Sequence, residues 1–220
     1  MIYRVIYYLI PIELRSKLEF KLQSKLKSKL QLKLEENLVN ETTVHFNKHF
    51  KIKTSLLNDT KNEYYYLEFG VFEGMTTNYF SKLVKKLYCF DSFEGLKEDW
   101  AGTSDPKSAF NLNKKVPKLN LNVEPIVGWV EDTLELFLKK HNPKVNFVHL
   151  DMDIYSATKF TLENLKPYLV KDAVILFDEL YNYDGWESGE YKALKEVFNE
   201  DEFEYKSFNL LGCQSMIKLK

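Results

Sequence analysis

The sequence predicts a doubly wound α/β domain, from three observations. Short apolar runs alternate with helix-period segments from Tyr64 onward, acids or glycines follow the apolar runs, and no linker splits residues 41–220. Strand–helix repetition at this spacing implies a mostly parallel sheet covered by helices on both faces. It also places functional residues just beyond the carboxyl ends of the strands.

The elements follow in order. Tyr64–Phe69 is an aromatic and apolar run ending at Gly70, hence a first strand. Thr76–Lys86, with Tyr79, Phe80, Leu83, Val84 and the following Leu87 at helical spacing, is a helix. Leu87–Phe90 is a second strand. Residues 92–122, rich in Gly, Pro, Asn and Lys, predict a long irregular excursion with one short helix. Val123–Val127 is a third strand, and Thr133–Lys140 a helix stopped before Pro143. Val145–Leu150, a helix over Ser156–Leu169, and Ala173–Phe177 follow as strand, helix and strand. Glu190–Phe198 is a helix, and the Phe203–Phe208 and Gln214–Leu219 runs predict a closing antiparallel hairpin. The result is a seven-stranded, Rossmann-like sheet.

Ahead of it lies a different segment. Residues 1–34 carry eight Lys/Arg against Glu13 and Glu19, a net +6, which leaves −7 for the remainder of a chain whose total is −1. From Lys17 to Glu35, Leu18, Leu22, Leu26, Leu30 and Leu34 recur four apart among good helix formers. A helical arm over residues 1–40 is predicted, its leucine stripe spiralling around the helix instead of forming a seam. Such an arm is either solvated or a contact for an anionic membrane or a second subunit. The acidic body is a poor surface for nucleic acid.

Only Cys89 and Cys213 are present, both in apolar runs that read as strands, so neither a disulfide framework nor a C-x-x-C metal knuckle is expected. The apolar run Val5–Ile12 is too short to span a membrane and lacks a secretory cleavage site. The expected setting is cytoplasmic, with peripheral membrane contact through the arm as the alternative.

After the first strand comes Glu68-Phe69-Gly70-Val71-Phe72-Glu73-Gly74. Its glycines either let backbone approach a ligand or simply serve the turn. The middle glycine of G-x-G-x-x-G is missing, which weakens a dinucleotide reading. Asp91, 21 positions beyond Gly70, stands where an acid can accept both hydroxyls of an adenosine ribose; the alternative is a turn aspartate. The densest cluster is His149-Leu150-Asp151-Met152-Asp153 with Phe177-Asp178-Glu179. Adjacent parallel strands lie about 5 Å apart, so four carboxylates converge and repel unless protonated or neutralised. A hard divalent ion such as Mg²⁺ would satisfy them; a helix cap and solvated acids are the alternative. His149, inside an apolar strand, reads as a hydrogen-bonded core residue. His45 and His49 share a helical spacing but lack a third ligand, and His141 precedes a loop.

The stretches Leu67–Gly74, Phe90–Leu96, Gly128–Leu134, His149–Thr158 and Phe177–Glu179 together resemble the macrocin O-methyltransferase family, in unbroken order from about Tyr64 to Phe198. The resemblance implies a class I, S-adenosylmethionine-dependent and Mg²⁺-dependent enzyme that methylates a hydroxyl of a sugar, nucleotide sugar or glycan. By it, Glu68, Gly70 and Gly74 border the methionine end of the cofactor. Asp91 holds its ribose, and Gly128 with Trp129 lies near its adenine. Asp151, Asp178 and Glu179 become metal ligands and Asp153 the general base. Where family members often carry paired aspartates, this chain has Asp178-Glu179. Two other readings are weighed against this one. A nicotinamide-dependent oxidoreductase would use the same fold, but the missing glycine and the four carboxylates disfavour it. A non-catalytic scaffold docking through its arm would leave the acidic cluster without a purpose.

Overall fold

The structure, a computed structural model, describes residues 63–209 and 212–220. The basic arm, His45 and His49 lie outside the described residues. Seven strands form one sheet: β1 (Tyr64–Phe69), β2 (Leu87–Asp91), β3 (Val123–Val127), β4 (Lys144–Leu150), β5 (Leu169–Phe177), β6 (Phe203–Phe208) and β7 (Ser215–Leu219). Their order is β3-β2-β1-β4-β5-β7-β6, with β7 antiparallel to both neighbours and the β1–β5 pairings parallel. The chain builds outward from β1 through β2 to β3, then returns to lay β4 on the other side of β1. The switch point of the sheet therefore lies between β1 and β4.

The register aligns the strand ends. Phe69 pairs with Phe90 and with Leu150, and Leu150 with Phe177. The ladder runs one residue beyond each strand: the amides of Gly70, Asp151, Asp178 and Gly128 donate to the carbonyls of Phe90, Phe69, Leu150 and Asp91 at 2.8–3.0 Å. Gly70, Asp91, Asp151 and Asp178 thus form one row along the carboxyl edge.

Strand alternation divides the core. Leu67, Phe69, Phe90, Val148, Leu150, Ile175 and Phe177 face α2 (Val130–His141), α3 (Tyr155–Leu165) and α4 (Glu190–Val197), meeting Leu134, Leu162 and Leu194. Tyr66, Phe147, Val174, Leu176 and Met216 face the other way, toward Phe80 of α1 (Met75–Phe80). Apolar residues on both faces account for the near-continuous apolar runs that mark these strands in the sequence. In α2, Glu131 and Asp132 occupy the first turn and Lys139, Lys140 and His141 the last, matching the helix dipole, and Asn142 ends it in a left-handed conformation.

The boundaries differ from expectation for identifiable reasons. The segment expected as a helix over Thr76–Lys86 gives α1 and one 3-10 turn, Ser81–Leu83. There the Asn122 amide donates to the carbonyls of Ser81 and Val84, taking acceptors that a longer helix would use. The helix expected to Leu169 stops at Leu165, because Pro167 lacks an amide hydrogen and the chain tightens into a 3-10 turn over Lys166–Tyr168. β5 begins at Leu169 instead of Ala173 and bulges before Val174, with exposed Asp172 at φ 66°. The short helix expected within residues 92–122 is absent, and that excursion is built from turns. Cys213 lies between β6 and β7, not in a strand. No described helix is long and apolar enough to cross a membrane.

Gly70 is held at φ +86°, and a Cβ there would sit 1.7 Å from the Asp151 carbonyl oxygen. Its lack of a side chain is what lets β1 and β4 end side by side. Gly70→Ala should destabilise the fold by more than about 1 kcal/mol, the scale of forcing alanine into positive φ with a backbone clash added. Urea denaturation checks this, and unchanged stability would show that the strand ends can part freely.

Candidate active site

Above the switch point lies a cleft of about 310 Å³. Of the six residues assigned to the cofactor, Gly70, Asp91, Gly128 and Trp129 line it; Glu68 and Gly74 do not. Gly74 lies beneath Leu119 of the excursion. Glu68 points into the sheet interior, fully buried, with Oε1 3.0 Å from His149 Nδ1.

Asp91 organises the turn it faces. Its Oδ2 accepts the amides of Val71 and Phe72 at 2.8 and 2.9 Å, and its Oδ1 accepts the amide of Phe93 at 2.7 Å. A carboxylate offers about four lone-pair sites. Three are therefore committed to backbone, and one remains for a ligand hydroxyl. On the facing wall, Trp129 precedes α2, with Lys97 Nζ 4.7 Å from its ring centre and 2.7 Å from Glu131.

The carboxylates converge as two groups that share Asp151. Ligating atoms of Asp151, Asp153 and Glu179 lie within 4.8 Å of one another, and so do those of His149, Asp151 and Asp178. Asp153, expected as the base within the same convergence of carboxylates, is grouped with two of the expected ligands. Its backbone is left-handed, φ 64°, a conformation aspartate tolerates better than most residues. Asp178 and Glu179 are consecutive beyond β5 and meet different partners. Asp178 meets His149 Nε2 at 3.6 Å and Gln214 Nε2 at 3.1 Å, whereas Glu179 lines the cleft.

Burial dominates the electrostatics of this edge. It pushes Asp151 and Glu179 well above the usual carboxylate range, and the Asp178 charge pushes both further. Asp153 is pushed up to about 7 by burial, then by Asp178, Asp105 and Asp91. For Asp178 burial acts upward too, but the side chains of His149 and Glu179 beside it hold it below the usual range. His149 is raised to about 10: burial opposes the charged form, and the Asp178 and Glu68 side chains beside it overcome that opposition. Glu179 Oε2 is buried without a hydrogen-bond partner among the described residues. All-oxygen donors with an orphaned buried carboxylate oxygen fit a hard divalent cation.

Sequence reasoning missed several residues of this region. Phe72, Trp100 and Phe110 line the cleft from turns that carry no periodic signal. Glu190, fully buried at the start of α4, accepts the Glu179 amide at 3.0 Å. It is the first residue of a helix, where an acid ordinarily faces water, so nothing local marks it.

Residues 67–180 match the model of a family described as a methyltransferase domain. Among solved structures, the fold is similar to CalS11, described as a calicheamicin methyltransferase and as a TDP-rhamnose 3′-O-methyltransferase. That similarity has a TM-score of 0.62 at 20% identity over 76% of this chain and 74% of that one. The O-methyltransferase NovP gives 0.53 at 18% identity, covering 71% and 72%. An O-methyltransferase from Bacillus cereus in complex with SAH gives 0.51 at 15%, covering 93% and 97%. No curated protein sequence matches significantly.

Asp91 ties three amides, so its removal should be felt in the fold as well as in the cleft. Asp91→Ala should lower the unfolding free energy by about 2 kcal/mol or more, since bonds to a charged acceptor contribute about 1.5–3 kcal/mol each and do not add fully. Asp91→Asn, which keeps one acceptor oxygen, should lose less. Denaturation midpoints matching wild type for both would show that the turn stands without this strut.

Proposed function

This chain belongs to the methyltransferase-domain family that its residues 67–180 match, and we propose that it is an S-adenosylmethionine-dependent, Mg²⁺-assisted O-methyltransferase acting on a hydroxyl of a sugar or related small molecule. One observation carries the reading. Asp151, Asp153 and Glu179 gather within 4.8 Å of one another at a cleft whose other walls are the Gly70 turn, Asp91 and Trp129. The solved structures described as O-methyltransferases share this fold, and they supply the precedent for oxygen as the acceptor. Family membership removes the nicotinamide oxidoreductase alternative.

S-Adenosylmethionine, when bound, supplies an electrophilic sulfonium methyl. The backbone of the Gly70 turn forms the wall for its amino-acid end. The remaining lone pair of Asp91 accepts a ribose hydroxyl, and Trp129, whose ring already meets the Lys97 ammonium, presents an aromatic face for the adenine. Asp151 and Glu179 would hold the cation, with Asp178 completing the set from the neighbouring group across Asp151; when bound, it supplies Lewis acidity toward the acceptor hydroxyl. Asp153, buried at the cleft and poised near neutral pH, takes the hydroxyl proton on its carboxylate. Fixing donor and acceptor between rigid strand ends contributes by alignment, since a bimolecular step becomes effectively unimolecular. Trp100 and Phe110, on the excursion over the cleft, bound the acceptor side.

With labelled cofactor and a panel of nucleotide sugars and glycans, turnover should vanish in chelator and return with Mg²⁺. Asp153→Asn should lose about 10²–10⁴ in rate, the range for a lost general base, while calorimetry shows S-adenosylhomocysteine affinity unchanged. Full activity in chelator, with that variant equally active, would reduce the acids to a solvated strand edge.

A further inference from the structure

We infer that Glu190 is a positioning residue, which clasps the Glu179 amide from the far end of the loop after β5 and thereby holds the Glu179 carboxylate beside Asp151 and Asp153. The inference rests on the metal reading proposed above and adds to it a residue outside the strand-end motifs. Glu190 is the first residue of α4, and its Oε2 accepts the Glu179 N–H at 3.0 Å across eleven positions of sequence. An acid in the first turn of a helix ordinarily faces water, where it complements the dipole without desolvation. Glu190 instead is completely buried, and its second oxygen, Oε1, has no hydrogen-bond partner among the described residues. A group in that situation calls for an explanation, and the bond made by its paired oxygen offers one. That oxygen grips the peptide directly preceding the Glu179 Cα, so its position sets where the Glu179 side chain starts.

The loop so closed is pinned at its middle as well. Trp100 meets Tyr183 edge-on at 5.8 Å, and Gly102 packs so tightly on the Asp184 carbonyl that a Cβ would lie 1.6 Å from its oxygen. Glu190 at one end and the excursion at the middle therefore fix a loop near whose start Glu179 borders the cleft. Partners that orient metal-binding side chains affect metal affinity strongly when lost.

The test uses the full chain and Mn²⁺ as the probe, titrated by electron paramagnetic resonance. S-Adenosylhomocysteine affinity is measured by calorimetry, and folding by circular dichroism. Glu190→Ala should weaken Mn²⁺ binding about 10–100-fold while S-adenosylhomocysteine affinity stays within about twofold. Glu190→Gln, whose amide oxygen can still accept the Glu179 N–H, should bind Mn²⁺ nearly as wild type does. Glu190→Asp keeps the charge but is one methylene short, so it should resemble the alanine variant and replaces it if alanine fails to fold. Unchanged Mn²⁺ affinity in the folded Ala or Asp variant overturns the inference. So does parallel loss of Mn²⁺ and S-adenosylhomocysteine, or a Gln variant as damaged as Ala, since either marks a merely structural role. A wild-type chain that binds no Mn²⁺ is a distinct result, which overturns the metal reading itself and this inference with it.

Discussion

Glu68, His149 and Asp178 form a line of contacts from the sheet interior to its carboxyl edge, and the chemistry of that edge follows from how few of its acids His149 can neutralise. His149 holds one carboxylate at each nitrogen, Glu68 at 3.0 Å and Asp178 at 3.6 Å, and its own proton is retained up to about 10. One imidazolium thus serves two acids. Asp151, Asp153, Glu179 and Glu190 stand in the same region without a Lys or Arg paired to them among the described residues, and burial holds all four above the ordinary carboxylate range. A folded chain can meet that excess in two ways: by keeping protons on the acids, or by exchanging them for a cation. The same excess explains why the strand ends are a poor site for a negatively charged dinucleotide.

The second constraint is geometric. Because β1, β4 and β5 are in register to their last residues, the groups that follow them arrive in one row. Gly70 can approach the Asp151 carbonyl only by having no side chain. Asp91 then fixes the turn beyond Gly70 by taking two of its amides. The cofactor wall and the acidic cluster are therefore parts of one arrangement, so damage at the turn should reach the acids through the strand ends.

Much of this was legible in the sequence, because strands buried on both faces leave apolar runs and the residues closing those runs are glycines and acids. The seven-stranded sheet, its closing hairpin and the convergence of four carboxylates follow from that pattern alone. What local pattern hides is tertiary. The β5 bulge exposes Lys171 and Asp172, so the strand's first residues look like a turn. Residues 92–122 are held by amides such as Asn120 and Asn122 reaching α1 and the 3-10 turn after it, and by pairings such as Leu96 with Ala109, which leave no periodicity. The family resemblance implies that Glu68 borders the methionine end of the cofactor. Strand alternation instead turns it inward to His149, on the face opposite Leu67 and Phe69. Glu190 meets Glu179 only because the loop between them folds back, a contact that no spacing rule announces.

The central claim is that the acids at the strand ends hold protons until a divalent ion replaces them. Isothermal titration of Mg²⁺ into the chain at about pH 6, in two buffers of different ionisation enthalpy, tests it most directly. Below the Asp153 value of about 7, and with Asp151 and Glu179 also raised, binding should release about one proton or more per ion. The observed enthalpy should then differ between the buffers in proportion to their ionisation enthalpies. Mg²⁺ binding with the same enthalpy in both buffers would contradict the account, since it would mean that the carboxylates were already ionised and the buried charge was balanced in some other way.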